Sequence, residues 1–136
     1  MINQKKGLIF GTLVVLLFVA SCSKDAGEGG SSTIKGKVYA KYYNKTFTSL
    51  IGEAYAPKKD VYIVYGDDAS YGDKQETCYD GSFEFKYLRK GKYKLYAYSL
   101  DTTLTNPATQ FGVIEEVEIT KNGETVVTND IVIADN

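Results

Sequence analysis

The stretch Lys92–Tyr98, KYKLYAY, is the part of this chain best equipped for recognition chemistry. In an extended backbone successive side chains point to opposite sides, so Tyr93, Leu95 and Ala97 share one face and Lys92, Lys94, Tyr96 and Tyr98 the other. The first set suits a core. The second offers flat rings beside cations, and tyrosine stacks on sugar rings or peptides at small entropic cost. Tyr39, on the non-core side of the first strand, would add to one aromatic, lysine-lined sheet face. Acid–base chemistry has little to work with: the 136 residues include no histidine, so no Ser/His or Cys/His nucleophile pair can be assembled, and no pair of carboxylates stands out. Asp67, Asp68 and Asp73 lack the spacing of an EF-hand loop. The expectation is a protein without catalysis, cofactor or bound metal.

All 17 acidic residues follow Cys22, whereas two of the 16 basic ones, Lys5 and Lys6, precede it. The chain after Cys22 is therefore acidic on balance. Arg89, Lys90, Lys92 and Lys94 then read as a solvated hairpin, and no nucleic-acid partner is expected. The N-terminus has two lysines, an uncharged stretch Gly7–Ala20 and small residues before a cysteine, which is the layout of a secretory signal. That stretch is shorter than the roughly 20 residues that span a bilayer as a helix. Val19-Ala20-Ser21-Cys22 resembles a bacterial lipobox, which implies residues 1–21 as signal peptide and Cys22 as the lipid carrier. Several acyl chains would hold the protein firmly, since each buried methylene contributes about 0.8 kcal/mol. Residues 22–32 read as the lipidated cysteine and a flexible Gly/Ser linker, with a random-coil reach of about 17 Å. Its opening Cys22-Ser23-Lys24-Asp25 resembles the short charged signals of surface lipoproteins of Bacteroidota. This implies an outer-membrane lipoprotein exposed at the cell surface, the periplasmic face being the alternative. Cys78 is left without a bridging partner and reads as a small strand hydrophobe.

Residues 33–136 are strand-like throughout, with period-2 alternation and turn residues between short β-branched and aromatic runs. Seven strands are expected: TIKGKVYA, DVYIVYG, KQETCY, SFEFKYL, KYKLYAYS, VIEEVEIT and ETVVTNDIVIA. They predict an all-β fold, a single antiparallel β-sandwich. Thr77, Gly81, Phe83, Phe85, Leu88, Gly91, Tyr93 and Leu95 stand in the order T-x3-G-x-F-x-F-x2-L-x2-G-x-Y-x-L. With Ile34-x-Gly36-x-Val38 and Val61-x-Ile63, this resembles the carboxypeptidase-regulatory-like family of transthyretin-type sandwiches, with Cna-B-like domains as relatives. The resemblance implies a Greek-key sandwich acting as an accessory module. It transfers no active site.

If each strand runs antiparallel to the next, the long connections 44–59 and 101–112 both project from the end away from the N-terminus. They carry Phe47, Ile51, Tyr55 and Phe111, too apolar for simply solvated loops. These residues, together with Tyr39, Tyr96 and Tyr98, are the candidate binding positions. The functional expectation is a lipid-anchored extracytoplasmic module that binds a carbohydrate or protein partner, or else a structural subunit of an envelope complex.

Overall fold

The structure, a computed structural model, describes residues 25–103 and 109–136. The signal segment and Cys22 lie outside the described residues. The strands are β1 (Glu28–Tyr43), β2 (Leu50–Tyr55), β3 (Asp60–Tyr65), β4 (Asp73–Glu76), β5 (Ser82–Leu88), β6 (Gly91–Leu100), β7 (Gln110–Ile119), β8 (Thr125–Val127) and β9 (Ile131–Asp135). They form two sheets, one of β2, β1, β5, β8 and β9 and one in the order β4-β3-β6-β7, which face each other across a common core. Nine strands among the described residues replace the seven expected, for two reasons. The first long connection contains β2, and the C-terminal run is broken at Thr128–Asp130 into β8 and β9.

β1 organises its sheet. Its first half pairs antiparallel with β5 and parallel with β8, and its second half antiparallel with β2 and parallel with β9. The all-antiparallel reading is thereby corrected. β7 ends beside the start of β6, at the end where β1 also begins, so the chain crosses to the other sheet there and can only ascend alongside β1. The second sheet is antiparallel throughout. The Tyr43–Leu50 connection, the end of β6 and the start of β7 all lie at the end remote from residues 25–28, as the sequence suggests, although the first connection returns as β2 from Leu50. Tyr42 pairs with Asp135 there, and the Ala134 N–H donates to Ser99 Oγ at 2.9 Å.

The family-like positions line the core. Phe83, Phe85, Leu88, Tyr93 and Leu95 are all buried, together with Ile34, Val38, Val61 and Ile63. Gly36 has no side chain because Phe83 occupies the space: a Cβ there would lie 2.5 Å from Phe83 Cζ and 2.3 Å from Thr128 Oγ1. Gly81 sits at φ 77°, where a Cβ is costly, and its carbonyl accepts the Val38 N–H at the point where β5 gives way to β2 along β1. Thr77 is buried because its hydroxyl donates to Ala56 O at 2.6 Å and accepts the Lys59 N–H at 2.9 Å. Cys78 departs from expectation. β4 stops at Glu76, and the Cys78–Gly81 turn carries the thiol into solvent.

β1 begins at Glu28, inside the 22–32 stretch that composition suggests is a linker. Arg89 draws this segment down: its Nε donates to Asp25 O at 2.7 Å, its Nη1 to Glu28 O at 2.6 Å and its backbone N–H to Gly27 O at 2.9 Å. The buried Tyr93 hydroxyl accepts the Gly27 N–H at 2.9 Å and donates to Arg89 O at 2.6 Å. Ser32, fully buried, donates to Lys121 O at 3.0 Å. A glycine- and serine-rich run serves here for close packing. Its small side chains fit where longer ones would not.

Candidate functional site

The outward side of the four-stranded sheet carries a tyrosine cluster. Because Tyr93, Leu95 and Ala97 are buried, alternation turns Tyr96 and Tyr98 outward on β6. Register places Tyr62 of β3 opposite Tyr96, and the two rings stack 4.9 Å apart at 10°. Tyr98 sets its edge against both, 5.7 Å from Tyr62 and 5.6 Å from Tyr96. Tyr71, from the β3–β4 connection, closes on Tyr62 edge-on at 4.9 Å. Offset and edge-to-face pairs of this kind are favourable beyond the area they bury. Tyr98 and Tyr71 remain about half exposed, at 48% and 51%, so the cluster has accessible rings as well as a packed centre. Tyr98 stands opposite Gly112, which puts no side chain beside it, and the exposed Ile114 stands opposite Tyr96.

The lysines around the cluster are balanced. Lys92 and Lys94 oppose Glu118 and Glu116 across the β6–β7 pair. Lys74 Nζ lies 3.2 Å from Asp60 Oδ2 and 6.0 Å from the Tyr62 ring, and the Asp60 carboxylate holds its pKa above the ordinary lysine value. Lys59 pairs with Asp135. Burial, then the neighbouring Tyr98, pushes the Tyr96 hydroxyl up, so it stays a neutral donor and acceptor at physiological pH. Beside the cluster, at the distal margin, is a cleft of about 210 Å³ lined among others by Lys59, Asp60, Tyr62, Tyr98, Gln110 and Asp135.

The other candidate positions fall elsewhere. Tyr39 lies on the other sheet, so the single aromatic face joining it to Tyr96 and Tyr98 does not exist. It meets Tyr55 edge-on at 5.2 Å, with Lys37 Nζ 4.6 Å from the Tyr55 ring centre and the Tyr55 hydroxyl donating to Asp130 at 2.9 Å. Phe47 is corrected from a binding residue to a cap: it is only 7% exposed, at φ 53°, with its ring 6.1 Å from Tyr43. Asn44 holds that turn, its Oδ1 accepting the Thr48 and Ser49 N–H groups. Ile51 is on β2 and 69% exposed. Phe111 pairs with the buried Ser99, so it shares the core side of β7 and opens at the distal mouth, away from the tyrosine face. Sequence reasoning missed Tyr62 and Tyr71. The alternation of DVYIVYG is enough to turn Tyr62 outward, but its neighbour Tyr96 follows only from register.

No protein-family model and no curated protein matches the chain. Among solved structures, the chain is similar to a protein of Pseudomonas aeruginosa described as a candidate carbohydrate binding protein, with 12% identity and a TM-score of 0.48, over 76% of this chain and 91% of that one.

Proposed function

We propose that this protein is a lipid-anchored, extracytoplasmic, non-catalytic module that binds a carbohydrate on the tyrosine face of its four-stranded sheet. The observation that carries the proposal is the contiguous Tyr71–Tyr62–Tyr96–Tyr98 cluster, in which Tyr98 and Tyr71 are about half exposed. Anchoring rests on the lipobox-like sequence ending at Cys22, and the module class on the resemblance to transthyretin-type accessory domains. With Cys22 as the lipid carrier, only Ser23 and Lys24 separate the anchor from the segment clamped by Arg89, in place of a free run to Ser32. The domain would stand close to its membrane, with the tyrosine-flanked distal end outward, and we place it at the cell surface. Tyr98→Ala is expected to lower retention on a bound polysaccharide about tenfold, the loss of roughly 1.4 kcal/mol of stacking, while the chain stays folded with a somewhat lower melting temperature, since the ring also packs edge-on against Tyr62 and Tyr96. Tyr39→Ala, on the opposite sheet, should leave retention intact. Equal retention of wild type and Tyr98→Ala would rule the tyrosine face out.

A second reading, a structural subunit that docks an envelope protein, is favoured by β2. Among the described residues this edge strand pairs only with β1, exposes Leu50, Ile51 and Tyr55, and carries a single charge, Glu53. Such an edge is open to strand addition. A photo-crosslinker at position 51 is expected to trap one partner of defined mass in cells, and Ile51→Lys to weaken that association. Absence of any adduct would end this reading.

A further inference from the structure

We propose that the distal cleft beside Tyr62 and Tyr98 is a subsite for one uncharged pyranose unit of the glycan, which makes the protein selective for neutral polysaccharides. The inference rests on the carbohydrate reading above and adds to it the place and chemical class of the unit recognised. Three observations carry it. The first is size: at about 210 Å³ the cleft is smaller than the roughly 300–1,000 Å³ of pockets that enclose drug-sized ligands, and it matches a single sugar ring.

The second is the order of polar and apolar groups. The half-exposed Tyr98 offers ring surface on the side continuous with the tyrosine cluster, with Tyr62 beneath it and Leu100 beside it. The lining also includes a lysine–carboxylate pair, Lys59 with Asp135, a second carboxylate, Asp60, and the amide of Gln110. A pyranose presents C–H groups on its ring face and hydroxyls around its rim, and each hydroxyl both donates and accepts. Carboxylates take its protons and the ammonium and amide supply donors. The Ala134 N–H bond to Ser99 Oγ ties β9 to β6 at this margin, so the wall is set before ligand arrives.

The third is charge. Lys59 is paired with Asp135 and Lys74 with Asp60, and Lys94 faces Glu116 across the strands. A uronate or sulfate entering here would meet two carboxylates whose cations are already engaged. A neutral ring meets no such opposition.

The test is retention of the purified full chain on immobilised mannan, laminarin and dextran as neutral probes, against polygalacturonate and chondroitin sulfate as charged ones. Retention on at least one neutral polymer, little changed by 1 M salt and several-fold greater than on either charged polymer, is the expected result. Gln110→Ala and Asp135→Asn should then each reduce it about three- to tenfold. Gln110 stands at the end of β7, where backbone pairing does not need its side chain, so that variant keeps the test independent of folding. Stronger retention on the charged polymers, lost in Tyr98→Ala, would overturn the neutral subsite and leave the tyrosine-face reading standing. Neutral retention unaffected by either cleft substitution would likewise overturn the subsite. Retention on no polymer would overturn both.

Discussion

Phe83→Ala is expected to lower the free energy of unfolding by about 3–5 kcal/mol, a large share of the roughly 5–15 kcal/mol typical of a domain. Phe83 is buried, stands 6.0 Å from the Phe85 ring, and fills the space that Gly36 leaves open on β1. The converse change, Gly36→Ala, thrusts a methyl into the same ring and into Thr128, and should cost about 1–3 kcal/mol through overpacking. Because one volume is disputed by both positions, the two effects must couple. Gly36→Ala should be milder in a Phe83→Leu background than alone, by more than the roughly 0.5 kcal/mol within which independent sites add. Urea unfolding of the four proteins at one pH measures this. Strict additivity would mean that the glycine is there for another reason.

Loosening the Arg89 clamp should free the start of β1 without unfolding the sandwich. In Tyr93→Phe the Gly27 N–H loses its acceptor in a buried position, a penalty of about 1–3 kcal/mol. Local opening then becomes about ten- to a hundredfold more frequent, and amide exchange over residues 27–32 accelerates by that factor while β6–β7 stays protected. Arg89→Ala, which removes the bonds to Asp25 O and Glu28 O, should act on the same segment. Uniform acceleration across both sheets would show that the clamp is part of the global fold. The same corner gives alkaline sensitivity. Burial, with the carboxylates of Glu28 and Asp73 nearby, pushes Tyr65 up to about 12, and its ring meets Tyr93 edge-on at 6.0 Å. The unfolded chain releases this proton near pH 10 and the folded one near 12. The contribution of Tyr65 to stability is therefore complete below pH 10 and is lost as pH rises to 12. Denaturation midpoints followed from pH 9 to 12 should fall more steeply in wild type than in Tyr65→Phe. Parallel curves would contradict this account.

Much of the tyrosine face was legible, because facing along a strand is a local property. Tyr93 and Leu95 inward and Tyr96 and Tyr98 outward follow from a two-residue period, and the turn at Gly81 from turn chemistry, whereas the need for a glycine at 36 comes from Phe83 and Thr128, distant in the chain. Balance of charge was less legible. Lys92 and Lys94 look like a cationic rim in sequence, and only the opposite strand supplies Glu118 and Glu116. Phe47 and Cys78 went the other way from expectation for one reason: both lie in turns, where side-chain direction depends on a few dihedral angles and not on alternation.

By itself the sequence determined the all-β class, the turn at Gly81, and which residues of β1, β5 and β6 face the core. Those properties depend on neighbours within a few residues. Tertiary structure alone decided that β8 and β9 run parallel to β1, that Tyr62 stacks on Tyr96, that Tyr39 lies on the other sheet, and that a glycine-rich segment is clamped by Arg89. Alternation says that a side chain points outward, but a sandwich has two outsides, and which of them a residue reaches is set by pairing between strands distant in the chain.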